Sequence, residues 1–244
     1  MHDVYLLSLI VVLLAVVQSI FGMGILVFGT PTLLLLGFDF TAVLGLLLPS
    51  SMAISSVQVW SGRDLPLPAR ERVNMKICAL VVIVSLAILM YTNLKARVDI
   101  LIGLTMLSAA IIRYSPTLQT RLQAFVQRQG RAYVGVMGVI HGLTNMGGAL
   151  LAVYASSGYS EKGQVRVAIA RYYLLFGAIQ LCTLAALRRS ALSWEGFAIA
   201  PIALVAYFSV GNLLFKRAGA SLYERAMTTF IGAYGAVVLA RTFI

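Results

Sequence analysis

From Val4 to Leu36 the chain runs for 33 residues without a charged side chain, yet glycine and proline interrupt the stretch at Gly22, Gly24, Gly29 and Pro31. A helix rises about 1.5 Å per residue, so a bilayer core of roughly 30 Å takes about 20 residues. The run is too long for one straight span and short for two. Glycine and proline release backbone groups that hydrocarbon cannot satisfy, so a break here must be buried in protein or line a cavity. The pattern predicts a helix broken near Phe21–Gly22–Met23–Gly24, as either a kinked span or a re-entrant hairpin.

Further apolar runs cover about Thr41 to Trp60, Ile77 to Tyr91, Val98 to Ile112, Tyr133 to Ser156, Val165 to Leu187, Trp194 to Leu214 and Leu222 to Arg241. Seven or eight spans nearly fill the 244 residues. Only 11% of the residues are charged, against about 25% in soluble domains, and mean hydropathy is +0.92. The chain is expected to be an all-α polytopic membrane protein. A soluble enzyme, a disordered chain and a secreted disulfide scaffold are excluded. Cys78 and Cys182 lie far apart in apolar runs and read as buried thiols without metal-ligand spacing. Tyr5 to Gln18 has neither a basic leader nor a small-residue cleavage site, so it is expected to stay as a span.

The formal charge of +11 sits mainly between the apolar runs. Topology and anionic headgroups account for it, and no basic, aromatic-interleaved module for nucleic acid is present. The loops at 61–76 and 113–131 each carry four Lys or Arg, while the 92–98 loop carries Lys95 and Arg97. The positive-inside bias puts the first two in the cytoplasm. Segment 113–131 has no acidic residue, and Leu118, Leu122, Phe125 and Val126 fall near helical spacing. It reads as an amphipathic interfacial helix or a plain linker.

The first glycine break recurs about 120 residues later as His141–Gly142–Leu143–Thr144–Asn145–Met146–Gly147–Gly148. This divides the chain into a first transmembrane repeat, 1–112, the basic segment 113–131, and a second repeat, 132–244. Each repeat would hold about four spans and open with a glycine-broken or re-entrant helix. Interrupted segments in matching positions of two halves point to a transporter site at the repeat interface, although helix packing through small residues also uses glycine.

Catalytic chemistry has little footing. There is no zinc-protease motif, nucleophile elbow or phosphate loop, and His2 is terminal. The eight acidic residues, Glu71 among them, read as loop or span-end groups, which also disfavours a cation carrier. Neutral-polar and basic groups remain inside the membrane. His141 is either a packing histidine or a ligand or proton-coupling group, with Asn145 one turn on. Arg171, beside Tyr172, is either a snorkelling arginine or a bidentate oxyanion donor. Ser50, Ser51, Ser55, Ser56 and Gln58 crowd one span with Pro49, and Ser51 and Ser55 share a face. Serines bonding back to their own helix explain part of this cluster, and a wetted wall explains its density. Thr30, Pro31 and Thr144 extend the polar surface at the breaks. Broken helices aim freed N–H groups at a bound anion, so the expected substrate is a small oxyanion. No cofactor or metal is implied.

The two break stretches, Gly22-Met-Gly24 running on to Gly29-Thr-Pro31 and Leu33–Gly37, and Gly138 to Gly148 followed by the Arg166–Gly177 helix, resemble the sulfite exporter TauE/SafE-like membrane permeases. The resemblance covers nearly the whole chain. It implies two homologous halves, movement of sulfite, sulfoacetate or related sulfonates and carboxylates, and a binding region at Gly22, Gly24, Thr30 and Pro31 and at His141, Asn145, Gly147 and Gly148. The resulting expectation is a secondary transporter of the bacterial cytoplasmic membrane, working by alternating access and compatible with a homodimer. An anion leaving the negative cytoplasm gains about 2.3 kcal/mol per charge per 100 mV, so export needs no coupling ion and import does. A channel-like pore, an assembly subunit and an intramembrane enzyme are the rival readings.

Overall fold

The structure, a computed structural model, describes residues 4–92 and 98–242. Lys95 and Arg97 of the sparsely charged loop, and His2, lie outside the described residues. In chain order the helices are α1 Val4–Phe21, α2 Ile25–Leu35, α3 Phe40–Ser61, α4 Ala69–Thr92, α5 Val98–Tyr114, α6 Pro116–Thr144, α7 Gly147–Gly158, α8 Lys162–Leu187, α9 Trp194–Ala206, α10 Asn212–Arg217 and α11 Ala220–Thr242. A π turn, Tyr207–Gly211, joins α9 to α10. Each span expected from the sequence is helical.

Four helical stretches are both long and apolar enough to cross a bilayer, among the described residues: Phe40–Ser61, Ala69–Thr92, Lys162–Leu187 and Trp194–Arg217. The protein is thus an integral, all-α polytopic membrane protein. The first broken run falls short because its break divides it, and α6, though 29 residues long, carries Arg121, Arg128 and Arg131. Residues 133–156, expected as one span, belong to two helices that part at Asn145 and Met146. The 113–131 segment is helical from Pro116 and runs on into the rest of α6, with a non-helical backbone angle at Gln129. Arg70 donates to the carbonyls of Val126 (3.1 Å) and Gln127. That contact brings the two basic segments 61–76 and 113–131 together.

The chain forms two compact units of interleaved sequence. One holds the residues up to Arg63 with Arg166–Gly219, and the other holds Asp64–Val165 with the residues from Ala220 on. In the first unit α1 packs against α2, α3, α9 and the π turn, and α3 packs against α9. Pro49 has no N–H to give the carbonyl of Gly45, one turn earlier in α3. Gly196 of α9 lies directly against that carbonyl, where no side chain would fit.

In the second unit α4 packs on α6, α5 on α11, and α7 against α5 and α6. Leu80, Ile83, Val84 and Ile88 form an exposed apolar face of α4, while Cys78, Val82, Ser85 and Leu86 face inward. An apolar face turned outward and a smaller, partly polar face turned inward suit a lipid solvent, which offers no hydrophobic drive for helix association. Close approach takes its place. A Cβ on Gly142 would sit 2.7 Å from Ser85 Cβ and 2.9 Å from the Val82 carbonyl, whereas one on Gly135 would meet nothing. Gly142→Leu is therefore expected to destabilise the protein by about 1–3 kcal/mol, and Gly135→Ala to leave it unchanged. Melting temperatures in a fixed detergent check the pair.

Candidate functional site

The first break lies between α1 and α2. Gly22 has φ +76° and a Cβ there would stand 2.8 Å from the Arg166 carbonyl, so glycine is needed on both counts. Gln18, wholly buried four residues earlier, bridges the gap. Its Oε1 accepts the N–H of Ile25, at the start of α2, at 3.2 Å and the Ser51 hydroxyl at 3.2 Å. Its Nε2 donates to the Ser51 carbonyl at 2.9 Å and to Ser55 Oγ at 3.2 Å. Gln58 Nε2 in turn donates to the Gln18 carbonyl at 2.9 Å.

The Ser19 carbonyl, also at the end of α1, accepts from Arg166 at 3.0 Å. The Arg166 guanidinium carbon lies 3.4 Å from the centre of the Phe215 ring. A cation at a helix C-terminus is favoured by the dipole, and the ring face adds to the attraction. Ser50 Oγ and Gln58 Oε1 are buried and, among the described residues, have no hydrogen-bond partner. Thr30 and Pro31 lie buried in α2. On α8, Tyr172 is buried and Arg171 half-buried, its guanidinium 3.4 Å from the Gly62 carbonyl at the end of α3.

The second break is closed locally. Asn145 adopts the left-handed conformation at φ 60°, and its N–H bonds the His141 carbonyl at 2.7 Å. Asparagine tolerates that conformation better than other non-glycine residues. Thr144 Oγ1 donates to the Ile140 carbonyl at 2.6 Å and accepts the Met146 N–H at 3.1 Å. His141, Thr144, Asn145, Gly147 and Gly148 are all buried. Gly147 presses on the imidazole: a Cβ there would lie 2.6 Å from His141 Cβ. Beyond the break α7 is anchored by polar contacts. Tyr133 donates to the Leu150 carbonyl at 2.8 Å. Arg113 donates to the Ala152 carbonyl at 3.3 Å and Ser156 Oγ at 3.1 Å, and it is ion-paired with Glu224.

The structure therefore gathers Ser51, Ser55 and Gln58 with Gly22 and Gly24 around one break, and His141, Thr144 and Asn145 with Gly147 and Gly148 around the other. Sequence reading overlooked Gln18 and Arg166. Gln18 was visible as the one amide in an otherwise apolar run. Arg166 opens a helix in the sequence, but its partners Ser19 and Phe215 are remote along the chain and give no local signal.

Long apolar helices, with buried polar groups at two helix breaks, define an integral, all-α membrane protein. The model of the sulfite exporter TauE/SafE family matches residues 7–239, and the chain belongs to that family. It is thus a membrane transporter of small anions, not an enzyme. No curated protein and no solved structure matches the chain significantly.

Gln18→Leu orphans the Ile25 N–H and the Ser51 hydroxyl, at about 1–3 kcal/mol for each buried group left unpaired. It is expected to lower thermal stability well below that of Ser56→Ala, whose side chain is exposed. A melt of equal size in the two variants would contradict the bridging role.

Proposed function

We propose that this chain is a secondary carrier in a bacterial cytoplasmic membrane. Its substrate is a small sulfur-containing or organic oxyanion, of the sulfite, sulfoacetate or short carboxylate class. The observation that supports this most is the pair of helix breaks, each set among buried hydroxyl, amide or imidazole groups, in a chain of this family. An oxyanion needs N–H and O–H donors, and a half-helix starting at a break presents several. Gly22, Gly24, Thr30, Pro31, Ser51, Ser55, Gln58, His141, Thr144, Asn145, Gly147, Gly148, Arg171 and Tyr172 form the proposed binding set. Ser50 joins it, because its buried hydroxyl is not spent on another group.

The two groups of polar residues differ in what they have left to give. Ser51 and Gln58 Nε2 already support the first break. Their loss is therefore expected to reduce stability and transport together. Ser50 Oγ bonds no other group among the described residues, so its loss is expected to touch the anion alone. The chain works by alternating access in two homologous halves, driven by the membrane potential or a proton gradient. Lipid with anionic headgroups surrounds the basic segments.

Sulfite uptake into proteoliposomes tests the reading. Saturable flux that responds to an imposed potential is expected. Ser50→Ala and Asn145→Ala are expected to raise the half-saturating concentration about tenfold, the worth of one hydrogen bond of about 1.4 kcal/mol. Non-saturating flux would favour a pore. Unchanged kinetics in both folded variants would remove the breaks from the binding surface.

A further inference from the structure

Where α5 ends and α6 begins, the second unit opens a hollow of about 360 Å³, lined by Arg113, Tyr114, Ser156, Tyr159, Glu224 and Arg225 among others. Its size falls in the range of about 300–1,000 Å³ usual for small-molecule sites. Arg113 is the fixed part of the wall, its side chain only 2% exposed. Its Nε donates to Thr228 Oγ1 at 2.9 Å, and its other nitrogens hold the Ala152 carbonyl, Ser156 Oγ and the Glu224 carboxylate. Three helices, α5, α7 and α11, are thereby fastened around the hollow.

The charges in this wall do not cancel. Glu224 offsets Arg113, but Arg225, next along α11, is exposed and makes no ion pair among the described residues. Two guanidiniums against one carboxylate leave one positive charge. Ser156 Oγ accepts from Arg113 and so keeps its own hydrogen to donate. Glu224 engages Arg113 through Oε2, which leaves Oε1 to accept. A guanidinium fork, a hydroxyl donor and a carboxylate acceptor side by side suit a singly charged phosphate with a hydroxyl group close to it.

The place of the hollow in the fold selects the source of that phosphate. Here the apolar helix α5 gives way to α6, which carries exposed Arg121, Arg128 and Arg131. Such a change marks the headgroup level of a bilayer, where tyrosines such as Tyr114 and Tyr159 also collect. Tyr114 shares a hydrogen bond with Thr229 of α11 at 2.6 Å. From that bond exposed apolar residues lead away from the hollow, Ile111 and Leu104 along α5, Phe230 and Val237 along α11. A free phosphate has no use for these residues, whereas acyl chains do. We propose that the hollow binds a monoanionic glycerophospholipid with a hydroxylated headgroup. Arg225 and Ser156 take the phosphate, Glu224 accepts the headgroup hydroxyl, and the acyl chains lie along α5 and α11. The site is separate from both breaks and from the general attraction of lipid to the basic segments, and it does not rest on the carrier reading.

Thermal unfolding of the full chain in a neutral detergent, titrated with phosphatidylglycerol, phosphatidylcholine or inorganic phosphate, tests the site. Phosphatidylglycerol is expected to raise the melting temperature saturably, and the other two to leave it in place. Arg225→Gln is expected to raise the half-saturating amount of phosphatidylglycerol about tenfold, the effect of one lost charge-assisted hydrogen bond. Arg128→Gln, altered at an exposed arginine of α6, is expected to change it less than about twofold. Equal responses to phosphatidylglycerol and phosphatidylcholine overturn the proposal, and so does an unchanged half-saturation in folded Arg225→Gln. An equal weakening in Arg128→Gln assigns the effect to general surface charge and removes the site. Inorganic phosphate that stabilises as well as phosphatidylglycerol assigns the hollow to a free anion and overturns the lipid. Should Arg225→Gln fail to fold, the comparison of the three ligands on the wild type decides alone. Sulfite transport enters none of these measurements, so the failure of either reading leaves the other standing.

Discussion

The amide of Gln18 does for the first break what a turn of helix does elsewhere. It accepts the Ile25 N–H at the start of α2, and it ties α1 to the Ser51 carbonyl and the Ser55 hydroxyl of α3. In water such a gap would be solvated at little cost. In hydrocarbon each orphaned backbone group costs several kcal/mol. A broken membrane helix therefore persists only where other groups of the protein, or water, satisfy its freed backbone. The serine-rich face of α3, the amide of Gln58 and the guanidinium of Arg166 all gather at this point for that reason. Arg166 would be expensive to bury alone, and here it meets a helix C-terminus and an aromatic face.

The second break is held in a different way. Thr144 and Asn145 close it within a few residues, one by a hydroxyl that both gives and receives, the other by a left-handed backbone. The following half-helix, α7, is then fixed through Tyr133, Tyr154 and Arg113. The first break is thus clamped at the gap itself, whereas the second is clamped along the helix beyond it. The ties that hold α7 are separate from the turn that closes the break.

Much of this was legible in the amino-acid order. Apolar runs marked the helices, and glycine placed both breaks within a residue or two. The charge pattern singled out two basic segments, and Arg70 joins them. The roles of individual polar residues were far less legible. Gln58 and Ser51 read as a cavity wall, yet their groups complete a helix end through Gln18, whose partners lie 33 to 40 residues away. Arg166 meets Ser19 across 147 residues. Glu71 looked like a loop carboxylate, and only its contact with Tyr154, 83 residues on, ties it to α7. Periodicity reports which face a residue takes. It does not report which remote chain segment arrives there. For the same reason the interleaving of two compact units was invisible.

On the proposed reading, a small oxyanion is recognised at the helix breaks. Amide hydrogen exchange of the reconstituted protein, with and without saturating sulfite, tests it most directly. Protection is predicted at Gly22–Gly24 with the first turn of α2, and at Asn145–Gly148, with little change along the lipid-facing turns of α4. Protection confined to other segments, under conditions where sulfite is shown to bind, would contradict the account.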